Sequence, residues 1–105
     1  ACEKGTQYEK AMLLLDEMRQ DRVYPNVIIC SAAISACEKA GQYQKALSLM
    51  DDMRRQGVVP DVITYSAAIS ACEKGMQYEK AMLLFDNMQQ QGVVPNVFTY
   101  SAAIS

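Results

Sequence analysis

The sequence predicts an all-α protein, an α-solenoid of stacked antiparallel helix pairs. Three observations carry this reading. First, the text repeats itself. Residues 27–61 read VIICSAAISACEKAGQYQKALSLMDDMRRQGVVPD, and residues 62–96 read VITYSAAISACEKGMQYEKAMLLFDNMQQQGVVPN. Pro25, Pro60 and Pro95 step by 60 − 25 = 35 and 95 − 60 = 35, and Cys2, Cys37 and Cys72 keep the same step, as do Tyr8, Tyr43 and Tyr78. A fixed period of ~20–50 residues marks a stacked-repeat protein. Second, apolar residues inside each period recur at helical spacing. Third, no segment alternates with period two, so no strand is expected.

The units follow in order. Residues 1–26 form a partial repeat, the end of a first helix plus a second helix. Residues 27–61 and 62–96 are complete repeats, and 97–105 begin another. The chain opens at Ala1, the counterpart of Ala36 and Ala71, and closes at Ser105, the counterpart of Ser35 and Ser70. A fragment of a longer array is therefore expected. In the first unit Arg22 stands where Gly57 and Gly92 stand. A left-handed cap costs a non-glycine residue about 1 kcal/mol, so that helix is expected to end differently or run longer.

In the third unit a first helix is expected over about 63–74. Tyr65, Ala68, Ile69 and Cys72 sit at i, i+3, i+4 and i+7 and make one apolar stripe. Ala67 and Ala71 form a small-residue edge that admits a neighbouring helix. Ser66, Ser70 and Lys74 share a polar edge. Gly75 is the expected stop, and in the second unit the stop slips to Gly41. A second helix is expected over about 77–91, with Tyr78, Ala81, Met82, Phe85 and Met88 as its buried face. Gly92 closes it and Pro95 prevents continuation. Asn26, Asp61 and Asn96 each precede a first helix as natural N-caps. One such pair cannot bury both apolar faces alone, whereas stacked copies can.

Composition excludes several classes. Half the residues are apolar, yet no apolar run nears the ~18 residues of a membrane span, so no direct membrane insertion is expected. The formal net charge of −2 gives no general pull on nucleic acid, so such binding must rest on local charge placement. Four cysteines and no histidine, with no C-x-x-C, read as small buried thiols rather than as metal ligands or disulfides. Without histidine there is no Ser-His or Cys-His pair, and no Gly-rich phosphate loop occurs. Asp16–Glu17 and Asp51–Asp52 are adjacent on helices and point about 100° apart, so they do not face one substrate. No enzyme activity and no cofactor are expected.

These residues resemble the pentatricopeptide repeat (PPR) family. The resemblance lies in the 35-residue period, the V-x-T-Y opening, the C-x-K-G turn, the A-x-x-L/F-x-x-M second helix and the G-x-x-P-N/D ending. It covers the whole chain. It implies a right-handed α-solenoid that binds single-stranded RNA in mitochondria or chloroplasts, for RNA processing, stabilisation or translation. First helices line the concave groove and each repeat reads about one base through two or three side chains. In the family the fifth and last residues of a unit read the base. Here those are Ser31 with Asp61, implying G, and Ser66 with Asn96, implying A, with repeats running N to C along RNA running 5′ to 3′. Asn26 and Ser101 are base-reading positions whose partners fall outside the chain. Ile28, Ile63 and Phe98, the second residues of their units, become apolar walls between bases.

The residues themselves bear on these assignments. Asn carries donors and an acceptor, while ionised Asp only accepts, and that difference can separate adenine from guanine. Lys4, Lys39 and Lys74 recur every 35 residues at the end of the polar edge, which suits a phosphate track. Each position also has a plainer role. The Asn and Asp residues cap helices with or without RNA, Ser31 and Ser66 can be solvated helix residues, and each lysine sits at a helix end that favours cations. A second class of function also fits, a protein-binding scaffold in an organellar assembly with no RNA bound. Leu13 and Leu83, where the second unit has Ser48, would then dock other proteins.

Overall fold

The computed structural model describes residues 3–23 and 26–104, with side chains for 8–23 and 26–104. Cys2 and Pro25 and the side chain of Lys4 lie outside the described residues. Six α-helices run in order: α1 (Glu3–Gln20), α2 (Val27–Lys39), α3 (Tyr43–Arg55), α4 (Val62–Lys74), α5 (Tyr78–Gln90) and α6 (Val97–Ile104). No strand occurs among the described residues. The first helices of the repeats, α2, α4 and α6, lie side by side in one layer. Helices α1, α3 and α5 form a second layer, each packed on the first-layer helix that follows it, and α3 and α5 also on the one before. The fold is the helical solenoid the period predicts.

The core lies between the layers. Ile34 and Cys37 of α2, Met50 and Met53 of α3, Tyr65, Ile69 and Cys72 of α4, and Met88 of α5 are buried. Each large apolar side chain among them contributes roughly 1.5–3 kcal/mol. Small residues make the close approach possible: Ala67 and Ala71 of α4 are buried, and α4 packs beside both α2 and α6. The Tyr65 hydroxyl accepts a hydrogen bond from Arg54 at 2.9 Å, so burying its ring leaves no polar atom unpaired. In the preceding repeat Cys30 replaces this tyrosine, and Arg19, the counterpart of Arg54, pairs instead with Asp52 at 3.1 Å.

Four features depart from expectation. Gly75 is not the left-handed residue; its φ is −87°, and Met76 takes the positive φ of 59°. Gly41 and Met76 are 76 − 41 = 35 apart, so both stops fall at one repeat position. Gly75 serves packing, because a Cβ there would sit 2.5 Å from Cδ2 of Tyr43. Next, α1 ends in register with α3 and α5 despite Arg22, which accepts the left-handed conformation at φ 59°. Its turn bonds, Arg22 N–H to Arg19 and Val23 N–H to Met18, repeat those of Gly57 and Val58. Two backbone bonds offset the strain at that position.

The third departure is at Gly5 and Thr6, which lie inside α1, where the first-to-second-helix turn was expected. The fourth is the face of α5. Leu84 is buried, while Tyr78 and Met82 are exposed. Their counterparts Tyr43 and Leu47 are half-buried because the next repeat lies over them: the Tyr43 ring meets Gly75 and carries the Lys80 ammonium 5.7 Å from its centroid.

Candidate nucleic-acid interface

The site is built where each link enters a first-layer helix. Asn26, Asp61 and Asn96 cap α2, α4 and α6, as their position predicts. Their Oδ1 atoms accept the backbone N–H of Ile29 at 3.0 Å, Thr64 at 2.9 Å and Thr99 at 3.1 Å. An extended backbone at Asn26 and Asp61 aims the side chain back over the first turn. Capping and outward recognition are compatible at these residues, since the cap uses one head-group atom. Asp61 Oδ2 and Asn96 Nδ2 carry no hydrogen bond among the described residues.

Two threonines join the cap to the preceding repeat. Thr64 donates its hydroxyl proton to Asp61 Oδ1 at 2.9 Å, and its Oγ1 lies 2.5 Å from Ser31 Oγ on α2. The second repeat repeats this. Thr99 Oγ1 donates to Asn96 Oδ1 at 3.1 Å, lies 2.7 Å from Ser66 Oγ and accepts the Asn96 N–H at 3.2 Å. So Ser31 with Asp61, and Ser66 with Asn96, are each connected through one hydroxyl. Both serines are buried rather than solvated, as are both threonines. Sequence reasoning missed Thr64 and Thr99. The signal available was the spacing 64 − 31 = 33 and 99 − 66 = 33, a hydroxyl pair repeated in register. Asn26 has no such relay, because Ile29 stands in the threonine position.

Around the second of these networks lies a cleft of about 470 Å³. It is lined by Ile63, Ser66 and Ser70 of α4, Phe98 and Ser101 of α6, and Asn96, with Ser35 and Glu38 of α2 at its side. The side chains Ile28, Ile63 and Phe98 are 72%, 58% and 73% exposed, one per repeat on the first-layer helices. Exposed apolar side chains at fixed spacing, flanking buried hydroxyls, form surfaces against which flat rings can lie.

Charge here is mixed. Lys39 and Lys74 are exposed at the ends of α2 and α4. Lys74 Nζ is ion-paired with Glu38 of the preceding repeat, so a cation and an anion share the cleft edge. Cys30, Cys37 and Cys72 are buried in the core, away from the cleft, and burial raises their thiol pKa values; that of Cys37 is pushed up to about 11 although the Lys45 charge opposes it. No helix among the described residues is long and apolar enough to cross a membrane.

Comparison with known proteins adds the following. The PPR repeat family model matches residues 25–74 and 69–105, and the PPR repeat model matches residues 1–23. No curated protein matches the chain. Among solved structures, the pentatricopeptide repeat protein PPR10 in complex with an 18-nt psaJ RNA element is 31% identical over 92% of this chain, with a TM-score of 0.84. A cysteine-to-serine variant of PPR10 with the same RNA element gives the same values. PPR10 from maize is 30% identical over 96% of the chain, with a TM-score of 0.77. The chain spans 14% of the length of each of these structures.

Proposed function

The chain belongs to the PPR repeat family, and from that premise we propose that it binds single-stranded RNA sequence-specifically, one base per repeat. Residues 27–61 and 62–96 act as two complete readers, flanked by the partial repeats 1–26 and 97–105. The observation that carries this reading is the cleft that gathers Ser66, Asn96, Ile63 and Phe98. The similar PPR10 structures, which hold an RNA element, support the same reading. Ser31 with Asp61 reads G and Ser66 with Asn96 reads A. Asn26 and Ser101 serve the adjoining bases, while Ile28, Ile63 and Phe98 separate successive bases by stacking. Base stacking is worth ~1–3 kcal/mol per base and tolerates any sequence.

Lys39 and Lys74, with Lys4 as their counterpart, follow the phosphates. Lys74 reaches a phosphate by leaving the half-buried Glu38 carboxylate, an exchange of one anion for another. The role is binding rather than catalysis, in organellar RNA processing, stabilisation or translation. The direct test is fluorescence anisotropy of the full chain with labelled single-stranded RNAs at low salt. Binding that weakens with salt and is lost in Ile63→Ala/Phe98→Ala supports the proposal. No affinity for any single strand refutes it.

A second reading, a scaffold for other proteins, is favoured by Leu13 and Leu83, which are 65% and 67% exposed on α1 and α5. It predicts that Leu13→Ser/Leu83→Ser releases a bound protein while Lys39→Ala/Lys74→Ala does not.

A further inference from the structure

We propose that Thr64 and Thr99 are specificity-determining residues: each fixes the serine of the preceding repeat as a hydrogen-bond acceptor and so sets which base the pair accepts. The inference rests on the base-reading function proposed above and deepens it.

Counting protons fixes the direction of each bond. A threonine hydroxyl has one proton. Thr64 lies 2.9 Å from Asp61 Oδ1, and an ionised carboxylate only accepts, so Thr64 gives its proton there. The 2.5 Å contact between Ser31 and Thr64 then needs the serine's proton. Ser31 Oγ is left with lone pairs only. With Asp61 Oδ2 beside it in the network, the first complete repeat presents two acceptors. Guanine offers two donors on its Watson–Crick edge, N1–H and N2–H. Adenine offers N1 as an acceptor there, and two facing acceptors repel.

The second network has the same wiring and a different outcome. The Thr99 N–H and hydroxyl both donate to one atom of Asn96, which identifies that atom as the amide oxygen and leaves Nδ2 as a donor. Thr99 spends its proton on Asn96, so Ser66 donates to Thr99 across 2.7 Å and keeps only lone pairs. One acceptor and one donor result, matching adenine's N6–H and N1. The threonine is thus common to both repeats; the Asp or Asn changes the second group, and the base shifts within the pair, since guanine's N2–H and adenine's N6–H lie on opposite sides of N1. Burial keeps the relay intact: both threonines are fully shielded, so water does not re-orient their hydroxyls.

The test is Thr64→Val, which keeps the shape and removes the hydroxyl, in the full chain against RNAs carrying G or A at the matched base. With its proton released, Ser31 can donate to adenine N1. The expected result is a gain in adenine affinity of about five- to tenfold, the worth of one hydrogen bond, with guanine affinity changed little. Thr64→Ser should restore the discrimination, and Thr99→Val should relax adenine selectivity at the next base. Thermal melting identifies a Thr64→Val protein that fails to fold, in which case Thr99→Val carries the comparison. Equal loss for both bases, or unchanged discrimination in Thr64→Val, overturns the proposal while leaving RNA binding intact. Failure of the unsubstituted chain to bind any single strand removes the base-reading function, and this inference with it.

Discussion

At the scale of single residues, two adjacent positions show how a local signal misleads. Glycine at a helix end suggests a left-handed cap, and Gly75 follows a helix. The geometry assigns the left-handed φ to Met76 and uses Gly75 to admit the Tyr43 ring. The contact spans 75 − 43 = 32 residues, so no reading of the local text reveals it. Gly75→Ala should therefore destabilise the protein by about 1–3 kcal/mol through overpacking, and the same change in Tyr43→Ala should cost much less. Chemical denaturation of the four proteins measures the coupling. The buried thiols allow a prediction in pH. Cys37 ionises at about 11 in the folded chain against an ordinary value of 9.0. Below pH 9 the thiol is protonated in both states and the stability is fully present. Between 9 and 11 the unfolded thiol ionises while the folded one does not, so stability falls by on the order of 2–3 kcal/mol. Urea melts of Cys37→Ala beside the parent chain should show that part of the alkaline loss disappear.

At the scale of elements, the helices were legible because punctuation and periodicity agree. Asn26, Asp61 and Asn96 mark the starts, and Gly57 and Gly92 mark ends. Periodicity also placed Tyr65, Ile69 and Cys72 in the core. It failed for Tyr78 and Met82, since helical spacing shows that a stripe exists and not which neighbour covers it. The pairs proposed to read bases were legible only as positions. Their connection through Thr64 and Thr99 crosses from one repeat to the next and needs the layer of first helices to exist. Between layers, the Arg54–Tyr65 contact joins α3 to α4 by a 2.9 Å hydrogen bond and a guanidinium 5.7 Å from the ring centroid. Tyr65→Phe should cost about 1 kcal/mol, because the ring is retained and one hydrogen bond is lost. Tyr65→Ala should cost about 3–5 kcal/mol. Thermal melts of both variants check the ratio.

At the scale of the whole molecule, the net charge of −2 limits how the protein can hold a polyanion. In the proposed function attraction comes from the lysines repeated along one edge, with two such side chains, Lys39 and Lys74, among the described residues. For single strands each neutralised phosphate contributes about −0.7 to the slope of log K against log salt, so a slope near −1.4 is expected. Glu38→Gln removes the anion that holds Lys74 and should raise affinity at low salt without altering base preference. Titrations at several salt concentrations measure both. A repeat is proposed to read one base through its serine and its terminal Asp or Asn. This is tested most directly by Asp61→Asn, a change that keeps the cap and exchanges an acceptor for a donor. Affinities for RNAs differing only at the matched base should move from guanine toward adenine, with the adjacent adenine preference unchanged. A variant that folds, binds RNA and still prefers guanine would contradict the account.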